Sequence, residues 1–390
     1  MIRRLKIENY RSHGATDVQL EPLSLLVGPA GAGKSNLLKA LVFLQNTVHK
    51  PIVDLFPPAS PWEFSLVRSR WASQTDPIGF LVELEDVEGS EAIYSLRFAD
   101  SPEGIYVLEE TLQRRRSREE WRWVFQRRWP GNAELGEFGV VRPRDPSVLN
   151  KVWYGTKPDG PLEGPRFARS VAKALWRTGY FHLETSWLKQ LSDDRESDRI
   201  GYSGQDLPGF LAGLQREDRP RYERVLGAMR ELLPSLEQIV ITRVGPDRQG
   251  LAMTFRGLHG YINAPDLSDG TVLTLGLLAI THSRKRPRLL CIEEPETGLH
   301  PRRLRWLFDR FVELAYPTDK ATDPVQVVLT THSPYLVDLF RDMRSAVTVV
   351  ELEEGRTHMK NLVDIKKTLR DTDTGSSIGH EWATGLFEGL

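Results

Sequence analysis

Gly28-Pro29-Ala30-Gly31-Ala32-Gly33-Lys34-Ser35 decides how this chain is read. Its spacing is G-x-x-x-x-G-K-[ST], the pattern of a loop that wraps phosphate. Leu23 to Val27, just before it, is a short apolar run of buried-strand character. Asn36 to Leu44, just after it, carries apolar residues at helical spacing. Strand, glycine-rich turn and helix is the context that the pattern requires. Glycines let successive backbone N–H groups close around an anion, and the helix N-terminus adds partial positive charge. Gly28, Gly31 and Gly33 are therefore expected to shape the cradle, with Asn36 beside the bound nucleotide. Lys34 is expected to reach the β- and γ-phosphates of ATP, and Ser35 to hold Mg²⁺ through its hydroxyl.

The bulk composition narrows the classes around this loop. The 390 residues suffice for a large core and more than one lobe. Charged residues at 27% and hydrophobic ones at 40% are ordinary for a globular protein. A formal charge of −1 gives no global field toward nucleic acid, so any such contact needs a local patch. The single cysteine, Cys291, excludes an intrachain disulfide and suits a reducing cytoplasm. It sits mid-strand and reads as a buried small hydrophobe. The start alternates like a strand, not like a signal peptide, and no apolar run approaches the roughly 20 residues of a membrane span.

Pattern along the chain predicts an α/β fold with a split core. Ile2 to Asn9, Val18 to Leu20 and Leu23 to Val27 read as strands. Phe80 to Glu85, Ala92 to Phe98, Ile105 to Leu112 and Trp121 to Arg127 read as an antiparallel meander, and residues 130–165 as a surface excursion. Arg166 to Arg177 and Pro220 to Leu233 read as helices, Gly179 to Leu183 as a strand, Ser192 to Asp206 as a polar, mobile loop, and residues 236–255 as a hairpin. From Ser268 onward the texture returns to alternating helix and buried strand. The implied division is 1–60 for the first core part, 61–260 for an inserted β-meander and helical region, and 261–390 for the second core part.

Leu289-Leu290-Cys291-Ile292-Glu293-Glu294 delivers two carboxylates at the end of a buried strand, where ligands bind in α/β sheets. Glu293 is expected to support Mg²⁺, directly or through water. Glu294 is expected to orient or deprotonate the attacking water.

Further residues carry a family resemblance. Leu267-Ser268-Asp269-Gly270-Thr271 resembles the L-S-x-G-x signature of ABC ATPases, just upstream of the acid-bearing Walker B strand. Thr331-His332-Ser333-Pro334 resembles their switch-histidine loop, and residues 295–301 occupy the place of their D-loop. Ile7-Glu8-Asn9-Tyr10-Arg11-Ser12 is similar to the N-terminal segment of the RecF, SMC and OLD branch. The 293–301 and 331–334 segments are close to OLD-like AAA-family ATPases, and the 378–389 tail to their stand-alone members. The resemblance implies an ABC-type P-loop ATPase that forms a homodimer or higher even oligomer, head to tail, with two ATP molecules between subunits. Ser268 and Gly270 would then face the γ-phosphate of the opposite subunit, His332 would act in cis, and Arg11 would contact the phosphates or shape the site. A Q-loop glutamine is also implied, with Gln74, Gln190 and Gln205 as candidates.

OLD nucleases add a metal-binding Toprim domain. Glu353-Glu354-Gly355 and Asp371-Thr372-Asp373 resemble its acids, but the tail is short of the roughly 100 residues such a domain needs. Any cleavage is therefore expected from a separate effector, a nuclease or toxin. The role that the resemblance implies is the ATPase or sensor subunit of a bacterial anti-phage defence system. The alternatives are a RecF-like DNA clamp and an ATP-gated scaffold with negligible turnover. For nucleic acid, the candidate surface is the Arg- and Trp-rich run from Arg114 to Trp129, with a second basic turn at residues 283–288.

Overall fold

Four apolar runs become the inner strands of a six-stranded, mostly parallel sheet, because runs buried on both faces are what such sheets demand. The computed structural model describes residues 1–390 except 57–62, 74, 86–88, 117–118, 131–132, 135–137, 139, 156–162, 194, 196, 320–321, 369–376 and 388–390. Gln74, Arg118 and the Asp371-Thr372-Asp373 triplet lie outside the described residues.

The strand order of this core sheet is Thr178–Phe181, Leu289–Glu293, Gln326–Thr331, Leu23–Val27, Val347–Glu353, Arg356–Asn361. All neighbours are parallel except the closing hairpin of the last two. The register pairs Glu293 with Thr330 and Thr331 with Val27. The acid-bearing end, the switch-histidine loop and the phosphate loop therefore leave the same edge of three adjacent strands.

A second, antiparallel sheet begins with β1 (Ile2–Tyr10) and β2 (His13–Gln19); Leu23–Val27 is β3, in the core sheet. The meander follows as β4 (Ile78–Glu85), β5 (Glu91–Ala99), β6 (Tyr106–Arg115) and β7 (Arg122–Arg128), and the order is β2-β1-β4-β5-β6-β7. The helix α1 (Lys34–His49) fills the space between the sheets. Its Phe43 stacks on Phe80 and Phe98 at 5.5 Å, and the same buried cluster reaches Leu26, Cys291 and Val328 of the core sheet. The opposite face of the core sheet packs on the helices Leu207–Glu217, Asp269–Thr281 and Pro301–Ala315. The layers are sheet, helix, sheet, helices, with two buried clusters.

The sheets do not follow the textures from which the three-way division was read. β1 pairs with β4 across residue 60, with Leu5 opposite Val82 and Ile7 opposite Phe80. The strand Thr178–Phe181, within 61–260, is an edge strand of the core sheet beside Leu289–Glu293. The 130–165 excursion is partly buried: the side chains of Ser147 and Asn150 donate to the carbonyls of Thr47 and Val48 at the end of α1. The 192–206 stretch, expected as a mobile loop, is tied in through Ser192 and Asp193, which pair with Gln249 and Arg248, and through the Tyr202 carbonyl, which accepts from His182 N–H. Among the described residues, no helix is long and apolar enough to cross a membrane.

One buried side chain joins the two sheets. Gln326 Oε1 accepts from the Ile2 N–H at 2.9 Å, and its Nε2 donates to the Ile2 carbonyl at 2.6 Å. Removing it strands two buried backbone groups. Gln326→Ala is expected to cost about 2 to 4 kcal/mol of unfolding free energy in denaturant titration. A loss below about 0.5 kcal/mol would show that the sheets do not depend on it.

Candidate active site

The phosphate loop is built by close approach. Gly33 caps α1 at φ 105°, and Gly31 sits at φ 79°. A Cβ on Gly33 would fall 2.0 Å from Thr357 Oγ1, and one on Gly28 would fall 2.0 Å from the Val350 carbonyl oxygen. Only glycine fits either place, because the closing hairpin of the core sheet lies directly against the loop. Thr357 Oγ1 donates to the Ala32 carbonyl at 2.8 Å and lies within hydrogen-bond distance of Ser12 Oγ at 2.7 Å, where the Ser12 hydroxyl can donate to it. Asn36 Nδ2 donates to the same Ser12 Oγ at 2.8 Å. Asn36, expected beside the nucleotide, is thus held by the N-terminal β1–β2 turn.

Lys34 is buried at 5% exposure. Its ammonium donates to the carbonyls of Gly28 at 2.7 Å and Pro29 at 2.9 Å, and lies 3.2 Å from His332 Nε2. Burial pushes its pKa down to about 8, against the opposing pull of Glu294, Glu293 and Glu296. Ser35 Oγ donates to Glu293 Oε2 at 2.6 Å. The other Glu293 oxygen accepts from the Tyr180 hydroxyl, and His182 Nδ1 stands 4.0 Å from Oε2. Burial first, then the bond to Glu293, holds the Tyr180 phenol well above its ordinary range, so it remains a donor.

Ser35 and Glu293 offer hard oxygens, the donors that suit Mg²⁺. Among the described residues, no group of three or more His, Cys, Asp and Glu could hold a metal. Such a pair with water and phosphate oxygens completing the shell is the usual habit of Mg²⁺.

Glu294 holds a left-handed backbone, φ 45°, with its N–H donating to the Thr330 carbonyl. That conformation is costly for a non-glycine residue and marks a constrained position. Its Oε1 lies 3.2 Å from His332 Nε2. The same imidazole nitrogen thus faces Lys34 and Glu294, and the tautomer decides which bond is made. Burial, then the Lys34 charge, lowers the His332 pKa and favours the neutral ring. Glu296 fixes the turn: its Oε1 accepts from Thr331 Oγ1 at 2.5 Å and from the His332 N–H at 3.2 Å.

The signature segment is separate from this cluster. Ser268 caps the helix Asp269–Thr281, accepting from the Thr271 N–H. It is exposed, and Gly270 faces the Gly298 carbonyl and Arg303. Arg11 lies in the β1–β2 turn at φ 52°, its guanidinium 5.8 Å from the Tyr10 ring, with its N–H donating to the Val67 carbonyl.

Other expectations meet local neutralisation. Arg114 and Arg116 both pair with Glu163, Arg115 with Glu91, and Arg128 with Glu109. Arg127 is buried against Glu110. Trp121, Trp123 and Trp129 are exposed, but most of the expected phosphate-binding charge is already matched. In the second basic turn, Arg284 and Lys285 pair with Asp198. Gln190 and Gln205 make no side-chain contact with Glu293; Gln205 accepts from the Ser203 N–H. The Tyr180 hydroxyl holds the carboxylate instead, with His182 standing 4.0 Å off, and nothing local in their sequence marks them. Glu353-Glu354-Gly355 forms the turn of the closing hairpin, with Glu353 opposite Arg356.

A family model described as "AAA domain, putative AbiEii toxin, Type IV TA system" matches residues 23–137 and 168–338. The chain is 22% identical over 374 residues to an OLD nuclease of Thermus scotoductus, covering 87% of this chain and 60% of that protein. A 42-residue stretch is 52% identical to the DNA double-strand break repair Rad50 ATPase of Methanopyrus kandleri, 10% of this chain and 5% of that one. The chain thus spans less than two thirds of the length of either relative. The fold resembles an SMC head solved with the C-terminal winged-helix domain of ScpA, with TM-score 0.52, 13% identity, and coverage of 94% of this chain and 99% of that one. The fold is that of an ABC-type ATPase head.

The depressed Lys34 has a measurable consequence. Near pH 8 the free amine is about half protonated, whereas a bound phosphate favours the charged form. Nucleotide binding at pH 8 is therefore expected to take up about half a proton, falling toward zero at pH 6.5. Calorimetry in buffers of different ionisation enthalpy measures this. Lys34→Ala should remove the uptake together with most of the affinity.

Proposed function

The chain belongs to this AAA-domain family, and we propose that it hydrolyses ATP to ADP and phosphate, with Mg²⁺, as a head-to-tail dimer. One observation carries the reading. Lys34, Ser35, Glu293, Glu294 and His332 come from distant stretches and meet at one edge of one sheet. In the proposed mechanism Lys34 leaves the carbonyls of Gly28 and Pro29 for the β- and γ-phosphates. Gly28, Gly31 and Gly33 keep the loop N–H groups directed at the phosphates, and Asn36 and Arg11 steady its flank. Ser35 and Glu293 are the residues that would hold Mg²⁺, which supplies charge neutralisation on the phosphates. Glu294 orients the attacking water and takes its proton, and the neutral His332 ring bonds the γ-phosphate side.

Ser268 and Gly270 complete the site of the opposite subunit. They stand at the start of a 13-residue helix whose first N–H groups favour an anion. Ser268 is exposed, and its hydroxyl bonds within its own helix start, to Thr271, which supports a role in trans; Gly270 is buried beside it.

The broader role proposed is that of an ATPase subunit in anti-phage defence, controlling a separate nuclease or toxin. The family description, with its toxin–antitoxin reference, and the OLD nuclease similarity support it. The Rad50 similarity favours a second reading, a DNA clamp opened by hydrolysis. Turnover stimulated by DNA and falling steeply with salt would select the clamp. Turnover indifferent to DNA would select the defence subunit.

Glu294→Gln is expected to lower turnover at least about 100-fold while ATP binding persists and the dimer accumulates. Phosphate release and sedimentation read both effects. A variant hydrolysing at the normal rate removes Glu294 from the mechanism.

A further inference from the structure

Tyr180 faces two ways. Its hydroxyl reaches Glu293, and its ring lines a cavity of about 320 Å³ away from the phosphate loop. The cavity lies between the C-terminal half of α1, the edge strand Thr178–Phe181, the 199–202 segment and the turn after the signature helix. Its size is at the small end of the range of about 300 to 1,000 Å³ for ligand sites.

The lining has a definite chemistry. It includes Arg177, Arg199 and Lys285 and no carboxylate. Lys285 pairs with Asp198 outside the cavity wall, whereas Arg177 and Arg199 make no ion pair among the described residues. The Arg199 charge is felt within, since with burial it lowers the His49 pKa. The lining also includes the rings of Trp176, Tyr180 and Tyr202. Tyr202 is 42% exposed and stands 4.7 Å from Tyr180 between ring centroids. On the meander most arginines are matched by acids of the chain, whereas here two arginines without an ion pair line one cavity. An apolar ligand would leave them without partners, and a small aliphatic anion would leave the rings unused. A flat base carrying phosphate uses both.

We propose that this cavity is a second nucleotide site, with the base against Tyr202 and the phosphate on Arg177 and Arg199, and that Tyr180 carries its occupancy to Glu293. Tyr202 donates to the Tyr180 hydroxyl at 3.3 Å, and Tyr180 donates to Glu293. A base that moves Tyr202 therefore alters the support of the carboxylate beside Ser35. This coupling rests on the assignment of Glu293 to the ATPase centre; the binding does not. The nucleotide is either free in solution or the terminal residue of a strand.

The test uses the full chain saturated with a non-hydrolysable ATP analogue, so that the phosphate loop is occupied. AMP and a 5′-phosphorylated ten-residue thymidine oligonucleotide are titrated by calorimetry. One saturable site per chain is expected, weakened at least tenfold by Arg199→Ala and further by Arg177→Ala/Arg199→Ala, with melting temperature checked for each. Tighter AMP identifies a free nucleotide, and a tighter oligonucleotide identifies a strand end; both support the site. The better probe should change ATP turnover at least threefold, and Tyr180→Phe should bind it yet lose that response. Absence of saturable binding by both probes, or binding indifferent to Arg199→Ala, overturns the proposal. Arginine-dependent binding in a chain without turnover would retain the site while the ATPase reading fails.

Discussion

A hydrogen bond of 2.6 Å between Ser35 and Glu293 joins residues 258 positions apart, and the rest of the site depends on what makes it possible. The constraint is register. Three parallel strands must end level for the first residues of α1 to meet the acids that follow Ile292. A slip of one residue would turn Glu293 to the other face of the sheet. The layers on both sides hold that register: α1 and its aromatic cluster on one face, the signature helix and its neighbours on the other. The closing hairpin adds a third restraint, because Thr357 and the Val350 carbonyl occupy the space that glycine leaves in the loop.

Charge is concentrated here and largely cancelled on the meander. Lys34, Glu293, Glu294, Glu296 and His332 share a partly dry corner where each alters the proton affinity of another. The carbonyls of Gly28 and Pro29 hold the Lys34 ammonium within the loop. On the meander, by contrast, most arginines are paired with acids of nearby elements, Arg114 and Arg116 sharing Glu163. The unpaired arginines of the cavity beside Tyr180 stand out against that pattern.

Sequence legibility followed locality. Residues 28–35, 267–271, 289–294 and 331–334 each carry their chemistry within a few positions, and each lies on the strand, turn or helix start that its pattern implies. The strand near residue 180 was also legible, but its role was not. Tyr180 and His182 reach Glu293 only because their strand joins the sheet edge, a pairing across more than 100 residues. The Ser12–Thr357 lock spans 345 positions and uses two ordinary hydroxyls. The neutralisation of the 114–129 run was hidden for the same reason, since Glu163 opens a helix at the end of the excursion and Glu109 comes from the neighbouring strand. Across the expected boundary at residue 60, β1 and β4 form one sheet because their apolar residues alternate in the same register.

The central claim is that each catalytic pocket needs two chains. Mixing two defective proteins tests it most directly. One carries Lys34→Ala and the other Ser268→Arg, at an exposed position, with the melting temperature of each checked. Alone, each should be inactive. In a head-to-tail dimer the mixture contains heterodimers with one pocket free of both substitutions, so turnover should recover to about a quarter of the unaltered level. A mixture as inactive as its parts, or a Ser268→Arg chain that hydrolyses ATP normally by itself, would contradict the account.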